Sequence, residues 1–190
     1  MQKVELVAHD PKWHEQFQAI AAELNGIPDF NSLPINHIGS TAISGIEAKD
    51  VIDVQLGVAD ISKLDPIQAK LTGLGYVYMP LLSDHVPAGL GIDTFLWAKQ
   101  FWTTENRVPK VNLHIRQIDH PNWRFAILFR DYLRADARMA ASYAAAKRTL
   151  SEVVDSSMYS TVKDPIIDII MVAAEDWATK TDWTPQPDNG

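Results

Sequence analysis

Apolar residues near the start of the chain recur at three- and four-residue steps, the spacing of one face of an α-helix. The stripe consists of Trp13, Phe17, Ile20, Ala21 and Leu24. Pro11 suits the first helical position and Asp10 the N-cap before it, while Asn25-Gly26 is typical of a helix end. The pattern predicts an amphipathic helix that begins at Pro11.

Five short segments have the composition or the alternation of β-strands. They are residues 34–38, 51–58, 76–79, 93–99 and 108–116. Residues 51–58 give the clearest signal, because nearly every position is apolar except Asp53 and Gln55. A strand of this kind is expected in the interior of a sheet, where both of its faces are covered.

The remaining periodic segments predict helices, most of them in the second half of the chain. They are residues 64–74, 123–134, 136–150 and 158–179, with Pro165 near the start of the last helix or bending it. Residues 80–92 are expected to form a loop. This order predicts one α+β domain over residues 1–180, with a C-terminal helical segment and a disordered tail over residues 181–190.

Composition fits a globular domain and removes several classes of function. The chain has 190 residues, 46% of them hydrophobic, and no cysteine, which excludes disulfides, thiol catalysis and cysteine-bound zinc. Seventeen basic and 24 acidic residues give a net charge of −7, so a nucleic-acid partner is not expected. No apolar stretch approaches the ~18–20 residues of a membrane span, and no secretory signal is visible. We therefore expect a cytoplasmic protein with no membrane partner.

The segment with the clearest chemistry joins the strands over residues 34–38 and 51–58. Gly39 lets the backbone approach a ligand closely, and Ser40 offers a hydroxyl and an amide suited to phosphate. Asp53, on the next strand, has the oxygen ligands that magnesium prefers. The spacing fits a plainer interpretation better, in which Gly39-Ser40 makes a tight turn and Asp53 a local hydrogen bond. P-loop, dinucleotide-binding, serine-elbow and zinc-protease motifs are absent from the sequence.

Asn112, His114 and Arg116 alternate along a predicted strand and so share one of its faces. His114 suits a metal ligand or a base near neutral pH, and equally a solvated imidazole. Lys49 suits the neutralisation of a phosphate group, and equally an ordinary surface position.

Three further groups in the helical half admit both a binding and a structural interpretation. Arg130 is able to clamp a phosphate, whereas its neighbour Asp131 is spaced to pair with Arg134 on the same helix. Two i, i+4 pairs either line a nucleotide pocket or pack a ring on a lysine stem, and packing is slightly favoured: Tyr143 with Lys147, and Tyr159 with Lys163.

Residues 37–54 read H-I-G-S-T-A-I-S-G-I-E-A-K-D-V-I-D-V, which closely resembles the signature of the GrpB family. Later segments agree with that family: N-L-H-I at 112–115, F-R-D-Y-L-R at 129–134, the two tyrosine–lysine pairs and W-A at 177–178. The resemblance covers roughly residues 3–178. It implies the fold of the DNA polymerase beta-like nucleotidyltransferases, a mixed β-sheet flanked by helices.

The resemblance also implies a function: binding of a nucleotide or another small phosphorylated ligand, and metal-dependent nucleotidyl transfer to an unknown small acceptor. Asp53 and His114 are then the catalytic residues and the ligands of a magnesium ion. The implied substrate-binding residues are Gly39, Ser40, Thr41, Lys49, Arg130, Tyr143, Lys147 and Lys163. Because many basic residues fall in these segments, we expect a basic cleft in an acidic protein.

The chain departs from the family pattern at several positions. Ser44 and Asp50 stand where prolines are common, Asn112 replaces a histidine, and Gln55 stands where most nucleotidyltransferases carry a second aspartate. A single carboxylate holds two metal ions poorly. Relatives of this domain also occur fused to dephospho-CoA kinase. The alternative is therefore a non-catalytic folding-accessory or partner protein of that kinase, acting in trans.

Overall fold

Five strands and five helices make up the part of the chain that the computed structural model describes, namely residues 2–91, 93, 95–186 and 188. The strands are β1 (Ile35–Ile38), β2 (Val51–Val58), β3 (Tyr76–Met79), β4 (Lys99–Thr104) and β5 (Lys110–Gln117). The helices are α1 (Lys12–Asn25), α2 (Asp65–Gly73), α3 (Pro121–Ala135), α4 (Ala137–Val153) and α5 (Tyr159–Lys180), with a 3-10 turn over Ser40–Ala42.

The strands form one mixed sheet in the order β1-β2-β5-β4-β3. β2 and β5 run parallel, and the other neighbouring pairs are antiparallel. This architecture confirms the α+β class predicted from the sequence. The register pairs Asp53 with Asn112 and Gln55 with His114, so the polar positions of the two parallel strands lie side by side.

The two faces of the sheet differ in polarity because side chains alternate along each strand. Ile52, Val54 and Leu56 are fully buried in a core that includes the apolar stripe of α1. The opposite face carries Asp53 and Gln55. A second apolar core, distinct from the first, joins α3, α4 and α5. The polar face of the sheet and this helical layer together enclose the site described below.

The sequence located β2 and β3 at their observed bounds, but the strand predicted over residues 93–99 was wrong. β4 begins at Lys99, and residues 95–97 form a turn. Apolar residues alternate there because Trp97 is inserted under α3, with its ring 5.8 Å from that of Phe125, while Phe95 is exposed on the outside. The alternation arises from packing of a loop.

The chain after α5 returns to α3. Trp183 Nε1 donates to a carboxylate oxygen of Asp131 at 3.1 Å, and Asp188 forms ion pairs of 3.2 Å with Arg130 and Arg134. These two side chains therefore contact the domain. Residues 187, 189 and 190 lie outside the described residues, and the disorder expected over 181–190 stays a prediction. No described helix combines the length and the apolar character needed to cross a bilayer.

Candidate functional site

A cavity of about 590 Å³ lies between the polar face of the sheet and helices α3, α4 and α5. This volume lies within the range of small-molecule sites, roughly 300–1,000 Å³. Five basic and three acidic residues line the cavity: Lys49, Lys99, Arg116, Lys147 and Lys163, and Asp53, Asp84 and Asp164. The wall is therefore basic, although the whole chain carries a net charge of −7.

The turn after β1 requires a glycine at position 39. Gly39 has φ +71° and ψ −169°, a region that residues with a side chain rarely adopt. A Cβ atom there would lie 2.4 Å from Oδ2 of Asp53. Glycine therefore allows the Asp53 carboxylate to lie directly against the backbone, and it brings the half-buried Ser40 into the cavity wall.

Thr41 lines the cavity, but its hydroxyl holds the turn in place. The Thr41 hydroxyl donates to the carbonyl of Val51 at 3.2 Å and accepts from Nε2 of His37 at 3.0 Å. Burial lowers the pKa of His37 to about 4, so its imidazole is neutral near pH 7. Thr41 thereby connects β1 to the start of β2.

Asp53 lies at the centre of the polar face. Nδ2 of Asn112 donates to Asp53 Oδ1 at 2.9 Å, and Nε2 of His114 lies 3.7 Å from the same oxygen. Burial opposes ionisation of Asp53, but His114 and Asn112 favour the charged form, and the pKa of Asp53 is held below its usual value. Asp53 is therefore a carboxylate at neutral pH.

His114 is neutral and has a defined orientation. Burial lowers the pKa of His114 below its usual value; Asp53 opposes this shift, and the Arg116 guanidinium adds to it. Arg116 Nη2 faces Nδ1 of His114 at 3.5 Å, and a guanidinium is only able to donate. Nδ1 is therefore the acceptor, and the ring proton lies on Nε2, on the side of Asp53.

This arrangement fits a metal ion weakly. A metal bound at Nε2 of His114 would move the ring proton to Nδ1, where it would oppose the Arg116 donor. Gln55 offers no second ligand, because its Oε1 accepts from Arg116 at 2.5 Å and its Nε2 donates to the carbonyl of Trp123 at 3.1 Å. The described residues contain no group of three or more His, Asp or Glu arranged to hold a metal. The magnesium site at Asp53 and His114 stays a prediction, supported by one carboxylate.

Three lysines converge on two buried tyrosine rings in the helical wall. Lys147 Nζ lies 5.0 Å from the ring centre of Tyr143, and Lys163 Nζ lies 5.9 Å from that of Tyr159. Lys49 Nζ, from the segment before β2, lies 4.9 Å from the ring centre of Tyr159. The i, i+4 pairs thus pack as ring and lysine, and they also line the cavity.

Arg130 does not line the cavity, so the interpretation as a phosphate clamp is not supported by its position. Its side chain is 3% exposed. The guanidinium donates to the His37 carbonyl at 3.1 Å and to Asp131 at 2.7 Å, and it pairs with Asp188. Arg130 therefore joins α3 to β1. The expected pairing of Asp131 with Arg134 is also replaced, since Asp131 pairs with Arg130 instead.

Sequence reasoning missed a charged cluster in the cavity wall, centred on Asp84 and connected to His114 through Arg116. Asp84 accepts from Arg116 Nε at 2.7 Å, from Lys99 at 2.7 Å and from Asn122 at 3.1 Å. Nearby, His85 pairs with Asp168 of α5 at 3.0 Å. Asp84 lies in an irregular loop, where the sequence has no periodicity to predict its position. The one indication of this cluster in the sequence was Arg116, a charged residue on the same strand face as His114.

These features define an α+β protein with a mixed sheet and a basic cavity between the sheet and a helical layer. The sequence profile described as GrpB protein matches residues 3–173. The chain belongs to the GrpB family.

Individual relatives agree with this assignment. The chain is 33% identical to a dephospho-CoA kinase of Mycolicibacterium paratuberculosis, over 96% of this chain and 48% of that protein. It is 29% identical to the glutamate-rich protein GrpB of Alkalihalophilus pseudofirmus, over 89% of this chain and 94% of that protein. The chain thus spans about half the length of the kinases that it matches. The crystal structure of conserved protein GrpB from Enterococcus faecalis superposes with a TM-score of 0.68 at 26% identity, covering 95% of this chain and all of that one.

Proposed function

We propose that the cavity binds a nucleotide or another small phosphorylated ligand. The observation that carries this proposal is the set of five basic side chains around a cavity of about 590 Å³ in an acidic chain. Gly39 allows the ligand to approach the backbone beside Ser40. Aromatic side chains supply an apolar wall suited to a planar base: Trp97, Phe101, Phe125, Phe129, Tyr143 and Tyr159.

Asp53 is the residue best placed for a transfer step within this proposal. Asp53 lines the cavity and is a carboxylate at neutral pH, so it has a free base form that can accept the proton of an acceptor hydroxyl. The hydroxyl oxygen would bond to the α-phosphorus while the bond from that phosphorus to the bridging oxygen breaks, releasing pyrophosphate. Asn112 donates to Asp53 Oδ1 at 2.9 Å and orients the carboxylate, and His114 lies 3.7 Å from the same oxygen.

Titration calorimetry with ATP, CTP, GTP and UTP, each with magnesium, tests the binding proposal. At least one nucleotide is expected to give saturable binding at one site. The Asp53→Asn variant is expected to retain binding within a few-fold. Glu105→Gln, which removes a charge from an exposed side chain, serves as the control. The proposal fails if the unaltered protein binds none of the four nucleotides.

A second candidate function is association with dephospho-CoA kinase. The observation that favours it is the match of nearly the whole chain to about half of several proteins named dephospho-CoA kinase. In those proteins the matching part belongs to a chain named dephospho-CoA kinase, and on this ground we propose that the present chain associates with that kinase. Co-expression with the kinase tests this association.

A further inference from the structure

Three lysines that line the cavity form no ion pair within the described part of the chain. We define the lysine cluster as Lys49, Lys147 and Lys163. Lys49 is exposed, Lys163 is half-buried and Lys147 is 3% exposed. Two of the three ammonium groups lie over the same ring, that of Tyr159, at 4.9 and 5.9 Å from its centre.

Asp53 and Asp164 line the same cavity and their charges act on Lys163, but among the described residues no carboxylate lies within ion-pair distance of the lysine cluster. The ion pairs found there include none of its three members. Lys147 donates instead to the backbone carbonyl of Glu47. By contrast, Lys99 and Arg116 in the same cavity are both paired with Asp84. An ammonium group that is removed from water without an opposite charge is unfavourable, so this part of the cavity favours an anion.

The first turn of α5 adds to the same potential. Tyr159, Ser160 and Thr161 at this end of the helix line the cavity. The helix has 22 residues, its N-cap residue Met158 supplies no side-chain hydrogen bond, and its first turn contains no acidic residue. The positive end of a long helix dipole therefore faces the cavity beside Lys163.

We propose that the lysine cluster binds the phosphate groups of the ligand, as a di- or triphosphate chain, and neutralises them without a divalent cation. This inference rests on the proposed function and deepens it by naming the ligand class and the groups that hold it. It also accounts for the weak fit of a metal ion at Asp53: the charge that metal ions neutralise in two-metal enzymes is balanced here by three ammonium groups.

Binding of the anion is coupled to protonation of Lys147. Burial and the charge of Lys163 lower the pKa of Lys147 to about 7. The groups that face it are Lys163 from α5, Glu47 from the segment before β2 and Tyr143 from its own helix. A bound polyphosphate raises the pKa of Lys147 toward its ordinary value, so the protein takes up a proton on binding near pH 7.5.

Calorimetry with inorganic triphosphate in EDTA tests the subsite separately from nucleotide binding. We expect saturable binding whose affinity changes less than about twofold when magnesium replaces EDTA. Lys49→Ala and Lys163→Ala should each weaken it on the order of tenfold, as expected for one charge-assisted hydrogen bond. Lys63→Ala, at an exposed lysine that does not line the cavity, is the control and should leave affinity unchanged.

Proton uptake gives a second readout. At pH 7.5 the binding enthalpy measured in Tris should differ from that measured in HEPES, because the two buffers release the fraction of a proton that the protein takes up with different ionisation enthalpies. Lys147→Met should abolish that difference. Thermal unfolding checks that each variant is folded. Lys49→Ala is expected to be folded because Lys49 is exposed. Absence of triphosphate binding in EDTA, or affinity insensitive to Lys49→Ala and Lys163→Ala, overturns the subsite. Nucleotide binding in the earlier titration would then still support the proposed function.

Discussion

The backbone conformation at Gly39 determines how closely Asp53 approaches the turn after β1. Gly39 combines a positive φ with an approach to Asp53 that leaves no room for a methyl group. Gly45 in the same segment also has a positive φ, of +79°, but a Cβ there would meet nothing within 4 Å. The two glycines therefore separate the effect of backbone conformation from that of steric contact.

Gly39→Ala is expected to lower the free energy of unfolding more than Gly45→Ala. Both variants carry the backbone cost of a positive φ, on the order of 1–3 kcal/mol. Gly39→Ala adds the displacement of Asp53, on the order of 1–3 kcal/mol more for overpacking. Urea denaturation at pH 7 measures the difference, and nucleotide titration should show weaker binding for Gly39→Ala alone. Equal destabilisation of the two variants would show that contact with Asp53 is unimportant.

Single residues also mark the limit of prediction from the sequence. The resemblance to the GrpB signature predicted a common site for Gly39, Lys49, Asp53 and His114, and all four line one cavity, whereas their spacing alone favoured a tight turn and a local hydrogen bond. Arg130 shows what the pattern lacks. An arginine in an apolar helix can be buried and donate to a backbone carbonyl, or it can bind a phosphate. The sequence pattern is the same in both cases, and only tertiary packing distinguishes them.

At the scale of elements, the loop between β3 and β4 is held to the sheet by one carboxylate. Asp84 connects this loop to Lys99 of β4, Arg116 of β5 and Asn122 of α3. Burial opposes its ionisation, but Arg116 and Lys99 outweigh burial, and the pKa of Asp84 lies well below its usual value. The cluster therefore stabilises the fold only while Asp84 is charged.

Asp84→Asn is expected to lower the free energy of unfolding at pH 7 on the order of 2–4 kcal/mol, because it leaves two buried cations without their partner. Since the folded-state pKa is depressed, this stabilisation is complete above the unfolded-state pKa of about 4 and is lost as the pH falls further. Denaturation of both proteins between pH 7 and pH 3 measures it, with Glu105→Gln as the exposed control. A difference that stays constant below pH 4 would contradict this origin.

The elements themselves were largely readable from periodicity. The predicted bounds of β2 and β3 coincide with the observed strands, and α3, α4 and α5 lie within a few residues of their predictions. Periodicity failed for residues 93–99, where Trp97 is buried by α3 although the backbone forms a turn. Alternation along a sequence reports burial of side chains, and a loop that packs on a helix produces it as well as a strand does.

At the scale of the molecule, one surface is apolar where a globular domain usually is polar. Val162, Ile169 and Val172 follow helical spacing along the outer side of α5, and the N-cap residue Met158 is also exposed; Ile169 and Val172 are 73% and 75% exposed. Contiguous exposed apolar groups mark interaction surfaces. This stripe runs along the helix whose first turn lines the cavity, so a partner bound on α5 would lie next to the ligand.

The kinase association proposed above predicts that this stripe is the contact surface. Co-expression of the chain with dephospho-CoA kinase from the same organism should yield a complex that co-elutes in size-exclusion chromatography. Ile169→Ser with Val172→Ser should weaken the complex at least tenfold, because each side chain contributes roughly 1.5–3 kcal/mol when buried. Val108→Ser, at a residue that is 93% exposed and lies outside α5, is the matched control.

Nucleotide binding should be unchanged in the Ile169→Ser, Val172→Ser double variant, since neither residue lines the cavity. If the kinase elutes alone and its soluble yield does not depend on the chain, the similarity to half of the kinase proteins reflects shared ancestry without association, and ligand binding in the cavity remains the function that the geometry supports.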